Sequence, residues 1–113
     1  MERPIEPSKE RFSLRIGDIA IDPRGREVLV KNTLIFMTRT EFDVLLYLCQ
    51  HQEWAMTKQQ IIDTIWEIGA ETNYHAIENI IYKIRKKIRN SDTVRIQTLV
   101  GYGYKLSFVS SKR

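Results

Sequence analysis

The chain has 113 residues, the size of one small domain with a modest core. A composition of 42% hydrophobic and 28% charged residues is typical of a globular protein and excludes a disordered chain. The single cysteine excludes an intramolecular disulfide framework, and no apolar run approaches the roughly 18 residues of a membrane span. The first residues are too polar for a signal peptide, so we expect a cytoplasmic protein without membrane contact.

The positive charge is concentrated in one segment. The whole chain has 18 Lys and Arg against 14 Asp and Glu, a net charge of +4. Residues 73–89 contain five basic residues and one acid, so the remainder of the chain is neutral. A basic helix in a neutral chain indicates an anionic polymer as partner. The alternative is a solvated helix whose cations complement the helix dipole.

In the first third of the domain, apolar and polar residues alternate as they do in β-strands. Residues 1–11 contain little to bury and read as a linker or disordered tail. From Phe12 to Phe36, apolar residues recur with a period of two, and turn signals separate them at 17–18, 22–25 and 31–32. This pattern predicts an antiparallel sheet of three or four short strands.

Two helices are predicted next, each with a capping box. Thr38 and Glu41 have the capping-box spacing, and the helical pattern behind them extends to about His51. Thr57 and Gln60 repeat that spacing before a second helix. We expect the apolar side chains of this second helix to face inward, Trp66 among them, and Trp54 ahead of it to be a packing residue.

The third helix, 73–89, is strongly amphipathic. At about 100° per residue, one narrow stripe consists of isoleucines, namely Ile77, Ile81, Ile84 and Ile88, with Ile80 beside it. The opposite face is polar and cationic and has no aliphatic residue; it contains His75, Asn79, Tyr82 and Lys86, flanked by Lys83 and Arg89.

The chain ends in a predicted hairpin. Residues 94–98 and 104–108 alternate, and Val100 to Gly103 form the turn between them, before a short tail at 109–113. We attribute Gly101 and Gly103 to turn geometry, since no helix follows and a dinucleotide motif would need a third glycine. An N-terminal antiparallel sheet, three helices and a β-hairpin define an α+β fold, the winged helix-turn-helix, over residues 12–108.

Four motifs resemble the OmpR/PhoB family of transcription factors. They are Met37 to Phe42, Trp66, Ile77 to Ile88 with its Ile-Arg-Lys-Lys-Ile run, and Thr98 to Tyr104. The resemblance implies sequence-specific double-stranded DNA binding by the output domain of a two-component phosphorelay response regulator. It places the recognition helix 73–89 in the major groove and the wing 94–108 on the backbone. It also implies head-to-tail pairs on direct repeats. A response regulator needs a phosphoacceptor receiver domain, so we expect either that residues 1–11 are the end of a linker from such a domain or that this domain acts alone without phosphorylation.

The resemblance assigns roles to individual residues. Candidates for base contacts are His75, Ala76, Asn79, Tyr82 and Lys83. Asn79 is the foremost of them because an amide pairs bidentately with adenine; the alternative is a solvent-exposed asparagine. Lys83 could contact a guanine or a phosphate. Candidates for backbone contacts are Trp66, Arg85, Lys86, Arg89, Thr98, Gly101 and Tyr104. An alternative for Arg85 is a salt bridge with an acid on the first helix.

A second surface is expected to face a protein. The loop 67–72 corresponds to the segment with which family members touch RNA polymerase, and its candidate residues are Glu67, Ile68 and Glu71. Residues 39–72 have two basic and six acidic residues, which suits a basic protein surface.

Two departures from the family pattern bear on affinity. Val100 occupies the place of the usual wing arginine, and Tyr82 that of a frequent arginine. Fewer cations reduce counterion release, so a winged helix that serves only as a protein-interaction module is the alternative function. No catalytic constellation is apparent, and Cys49, His51 and His75 lack metal-ligand spacing, so we expect no enzyme, cofactor or metal.

Overall fold

A computed structural model describes residues 11–65 and 74–109. The expectations for the N-terminal tail through residue 10, for the C-terminal tail from residue 110, and for Trp66, Glu67, Ile68 and Glu71 lie outside these ranges. Within them, no helix combines the length and the apolar character needed to cross a membrane.

The predicted N-terminal sheet is confirmed, with four antiparallel strands in sequential order. The strands are β1 (Leu14–Ile16), β2 (Ile19–Asp22), β3 (Glu27–Val30) and β4 (Thr33–Ile35). Lys31 and Asn32 both have positive φ, 51° and 67°, as a two-residue hairpin turn requires. At β4 the apolar alternation does not mark the buried face: Leu34 and Phe36 are 58% and 77% exposed, and Ile35 between them packs against the core. Alternation alone does not say which of its two faces is buried.

Both capping boxes are present. In α1 (Arg39–Gln50), Thr38 Oγ1 accepts a hydrogen bond from Glu41 N at 3.2 Å, and Glu41 Oε1 accepts one from Thr38 N at 3.0 Å. At the start of α2 (Lys58–Ile65), Thr57 and Gln60 make the equivalent pair at 3.0 and 2.8 Å. Each box satisfies two N–H groups that the first helical turn leaves without partners.

The third helix is α3 (Tyr74–Lys87), which ends two residues before the predicted end and continues as a turn that contains Ile88 and Arg89. The isoleucine stripe of this segment is the centre of the core. All four predicted stripe residues are at most 2% exposed, and they pack in one cluster with the inner faces of α1 and the first sheet. Trp54 is the exception among the predicted packing residues. It is 63% exposed in the loop after α1 and contacts the His51 ring edge-on, with centroids 5.5 Å apart.

The wing is a hairpin of β6 (Val94–Leu99) and β7 (Gly103–Phe108), as predicted, but it belongs to a three-stranded sheet. The additional strand, β5 (Met56–Thr57), pairs with β7 and has only two residues, too few to show alternation in the sequence. A Cβ on Gly103 would lie 2.0 Å from the Met56 carbonyl oxygen. A glycine is therefore required at this position because β5 and β7 approach each other closely, and not because of the turn. Gly101, with φ of +76°, is the turn glycine.

Asp18 connects the first sheet to the start of the wing. Its carboxylate accepts hydrogen bonds from Ser91 Oγ (2.6 Å), Asp92 N (2.7 Å) and Thr93 Oγ1 (2.8 Å). Burial acts to raise the pKa of Asp18, but these hydrogen bonds outweigh burial and hold the pKa below its ordinary value of 3.8. Gly17 permits the contact, since a Cβ there would lie 2.2 Å from Thr93 Oγ1.

Glu41 has a second partner besides its own capping box. The Glu41 side chain is 4% exposed and forms an ion pair with the ammonium of Lys87 at the end of α3. Burial acts to raise the Glu41 pKa, yet the hydrogen bonds from Lys87 and Thr38 hold the pKa below its ordinary value. The last turn of the third helix is thereby tied to the first turn of the first helix.

We predict that Asp18→Asn makes stability less sensitive to acid. Because the folded-state pKa is depressed, the stabilisation by the carboxylate is present above pH 3.8 and is lost as the pH falls through the folded-state pKa. Urea unfolding between about pH 6 and about pH 2.5 should therefore show a shallower loss in the variant than in the wild type. Asp63→Asn, on the exposed face of α2, is the control. If the free energy of unfolding depended on pH identically in the wild type and in Asp18→Asn, the role of Asp18 would be contradicted.

We predict that Lys87→Ala lowers the free energy of unfolding by about 2 kcal/mol, because it leaves the buried Glu41 carboxylate without its cation. Lys86→Ala, one residue away on the exposed face, should change it by less than about 0.5 kcal/mol. Chemical denaturation measures the free energy of unfolding of both variants. Equal losses in the two variants would show that the ion pair between Glu41 and Lys87 does not stabilise the domain.

Candidate nucleic-acid interface

The outward face of α3 is the candidate interface, and the six polar or cationic residues predicted there are all exposed: His75, Asn79, Tyr82, Lys83, Lys86 and Arg89. Ala76 lies half-buried at the margin of this face. Because the isoleucine stripe is fully packed on the other side, the helix presents these side chains from a rigid support.

The cations of α3 divide into two groups. Arg85 and Lys87 are half-buried and bonded within the domain. Lys83, Lys86 and Arg89 are exposed, and none has an ion pair within the described ranges. Lys86 lies over the Tyr82 ring, with its ammonium 5.5 Å from the centroid. Three cations on the outward face are therefore available to an anionic ligand.

Arg85 reaches from α3 to the wing. Its Nε and Nη2 donate to the Ile96 carbonyl oxygen at 3.0 and 2.7 Å, and Nη2 donates to Thr98 Oγ1 at 2.7 Å. The guanidinium lies 5.8 Å from the centroid of the Tyr104 ring. The ion pair with the first helix that was considered for Arg85 is instead made by Lys87.

The acid of α3 forms an ion pair with the first residue of α2. Glu78, the one acid of the helix, accepts a hydrogen bond from Lys58 Nζ at 3.3 Å and lies 3.6 Å from His75 Nδ1. The same Lys58 ammonium lies 5.6 Å from the centre of the Tyr74 ring. Sequence reasoning did not identify Lys58 or Tyr74 as part of this surface, although the acid at position 78 was a signal that a cation should be near.

The wing candidates differ in accessibility. Thr98 and Gly101 are exposed, whereas Tyr104 is 4% exposed and lies beneath Arg85. Burial argues against Tyr104 as a direct contact and makes it a support for the residues above it. At the tip, Val100 is 95% exposed and Tyr102 is also exposed, so this end of the wing is apolar and uncharged. Tyr102 was not among the predicted contacts.

The described residues offer little other chemistry. No group of three or more potential metal-ligating side chains occurs among residues 11–65 and 74–109. Burial raises the pKa of the Cys49 thiol to about 12, which makes it unreactive. A cleft of about 230 Å³ between the end of α3 and β6 is lined by Arg85, Ile88, Arg89, Arg95 and Ile96, and it continues the cationic surface toward the wing.

Known proteins are similar in both sequence and fold. The family described as "Transcriptional regulatory protein, C terminal" matches residues 32–106. The transcriptional regulatory protein TrcR of Mycobacterium tuberculosis is 31% identical over 106 residues, which are 94% of this chain and 39% of TrcR. The chain spans about two fifths of the length of the curated relatives that it matches.

Two solved structures show the same arrangement of elements. The response regulator DrrB, an OmpR/PhoB homologue of Thermotoga maritima, superimposes with a TM-score of 0.72 at 28% identity, covering 82% of this chain and 43% of DrrB. The RstA DNA-binding domain of Klebsiella pneumoniae, solved in complex with the RstA box, superimposes with a TM-score of 0.69 at 22% identity, covering 82% and 94%. The chain belongs to the OmpR/PhoB-type family of winged-helix, DNA-binding C-terminal domains of transcriptional regulatory proteins.

Proposed function

We propose that this domain reads double-stranded DNA sequence-specifically as the output domain of a two-component response regulator, with α3 in the major groove and the wing on the backbone. The observation that carries the proposal is the outward face of α3, which is polar, cationic, exposed and backed by a packed stripe of isoleucines. A major groove about 12 Å wide accepts a helix of this kind.

Base reading is assigned to the middle of the exposed face. Asn79 is suited to adenine because its amide offers one donor and one acceptor on the same edge. His75 and Lys83 flank it on the same helix and offer further hydrogen bonds. Ala76 and Tyr82 provide apolar surface for a thymine methyl group. These five residues define the proposed reading surface.

Phosphate contacts are assigned to the ends of this surface. Lys86 in the last turn of α3 and Arg89 in the turn after it are exposed cations without an ion pair among the described residues, and Thr98 and Gly101 are exposed on the wing. Such contacts orient the domain on the duplex without reading sequence. RstA and AdeR, which share the fold, have been crystallised in complex with DNA, and this supports DNA as the ligand proposed for this domain.

Three partners of the whole protein belong to the same proposal. A receiver domain would contain the phosphoacceptor site of the whole protein; the chain spans about two fifths of the length of its curated relatives. A second copy would bind head-to-tail on a direct repeat, and RNA polymerase would contact the segment 67–72. The proposed setting is the cytoplasm, and the proposed role is regulatory and non-catalytic.

The apolar wing tip favours one competing function. Val100 is almost fully exposed at the position of the usual wing arginine, and it provides no cation to contact a phosphate. A domain that served only as a protein-interaction module would have such a tip and would show little salt dependence with DNA.

We predict that selection from random duplexes enriches a motif and that Asn79→Ala loses discrimination at one base pair. The loss should be about tenfold, since a bidentate base contact contributes about 1–3 kcal/mol. Gln50→Ala, at the exposed end of α1, is the control and should leave the motif unchanged. A motif equally sharp in Asn79→Ala would remove Asn79 from the reading surface.

We predict a steep dependence of affinity on salt. The slope of log K against log[salt] should fall in magnitude by about 0.9 for each cation removed in Lys86→Gln and Arg89→Gln. Arg15→Gln, on the exposed face of β1, should leave the slope unchanged. Weak binding with a flat salt profile in the wild type would favour the protein-interaction module.

A further inference from the structure

The wing is held to the rest of the domain along β7. Met56 and Thr57 of β5 pair with its first residues, and the Lys58 N–H donates to the Tyr102 carbonyl oxygen at 3.3 Å. Glu53 N donates to the Leu106 carbonyl oxygen at 2.8 Å. These contacts come from the segment between α1 and α2 and from the first residue of α2, not from the proposed recognition helix.

The outer strand β6 faces α3. It is an edge strand, because the sheet order is β5-β7-β6, and an edge strand has a row of backbone groups without strand partners. Arg85 satisfies one of these groups, the Ile96 carbonyl oxygen, with two N–H donors and binds the Thr98 hydroxyl with one of the same nitrogens.

The guanidinium is suited to this contact in a way that an ammonium is not. Its planar fork directs two donors at one carbonyl and leaves the second donor nitrogen within reach of Thr98. The buried ring of Tyr104 lies beneath the Arg85 guanidinium and supports the guanidinium from that side. A lysine at this position would keep the charge and lose the fork.

We propose that Arg85 is a positioning residue that holds the wing at a defined angle to α3, so that helix and wing meet one duplex as a single surface. The wing tip lies four residues along the chain from the Ile96 anchor, so movement of β6 would displace Val100 and Gly101 relative to the reading surface. The role in DNA binding rests on the function proposed above, whereas the structural role does not depend on it.

The first test is made without DNA. Residual dipolar couplings report the orientation of the β6–β7 hairpin relative to α3 in the wild type, Arg85→Lys and Thr98→Val. We expect both variants to alter this orientation or broaden its range, and the charge-conserving Arg15→Lys to leave it unchanged. Thr98→Val removes one hydrogen bond without changing charge, so it tests the contact even if Arg85→Lys fails to fold.

The second test is a double-mutant cycle on a selected duplex. Val100→Arg, which adds a cation at the wing tip, should steepen the salt slope by about 0.9 when the wing is held in place. In the Arg85→Lys background the steepening of the salt slope by Val100→Arg should fall by at least half, because the wing tip no longer lies at a fixed distance from the DNA backbone. Arg85→Lys by itself should weaken binding about three- to tenfold with an unchanged salt slope.

Two results would overturn the inference. One is an unchanged hairpin orientation in both Arg85→Lys and Thr98→Val. The other is strict additivity of Arg85→Lys and Val100→Arg, which would make Arg85 an independent contact. If no duplex is enriched by the wild type, the proposed DNA function fails, and the dipolar couplings still decide the role of Arg85.

Discussion

Burial of the isoleucine stripe of α3 is the constraint on which the rest of the domain depends. Four isoleucines, each worth about 1.5–3 kcal/mol when removed from water, hold one side of the helix against α1 and the sheets. The β-branched side chains have few rotamers, so the helix cannot easily roll about its axis. Its opposite face is consequently presented in one orientation, as a reading surface requires.

Polar contacts between elements then set the position of the helix and the wing. Glu41 ties the last turn of α3 to α1 through Lys87, and Asp18 ties the first sheet to the start of β6. Arg85 joins α3 to the same strand. Two of these contacts use cations, Lys87 and Arg85, that the sequence does not distinguish from surface charges. The free charge on the outward face is therefore smaller than a count of basic residues indicates, and it is concentrated at Lys83, Lys86 and Arg89.

Periodicity and capping signals predicted much of the architecture, including both capping boxes, the four-stranded sheet and the buried stripe. They failed where an element is too short or a pattern is ambiguous. The two residues of β5 have no periodicity, and alternation in β4 did not indicate that Ile35, rather than Leu34 and Phe36, faces the core. Trp54 was expected to pack because it precedes the second capping box, but it is 63% exposed and its ring contacts that of His51.

By itself the sequence determined the order of elements, the buried and exposed faces of α3 and the family, because these follow from local spacing and short motifs. Only the tertiary structure decided the partners of individual charges: Lys87 with Glu41, Lys58 with Glu78, and Arg85 with the wing. Those partners lie 46, 20 and 11 residues apart in the chain, and no local pattern records which distant groups come within hydrogen-bonding distance on folding.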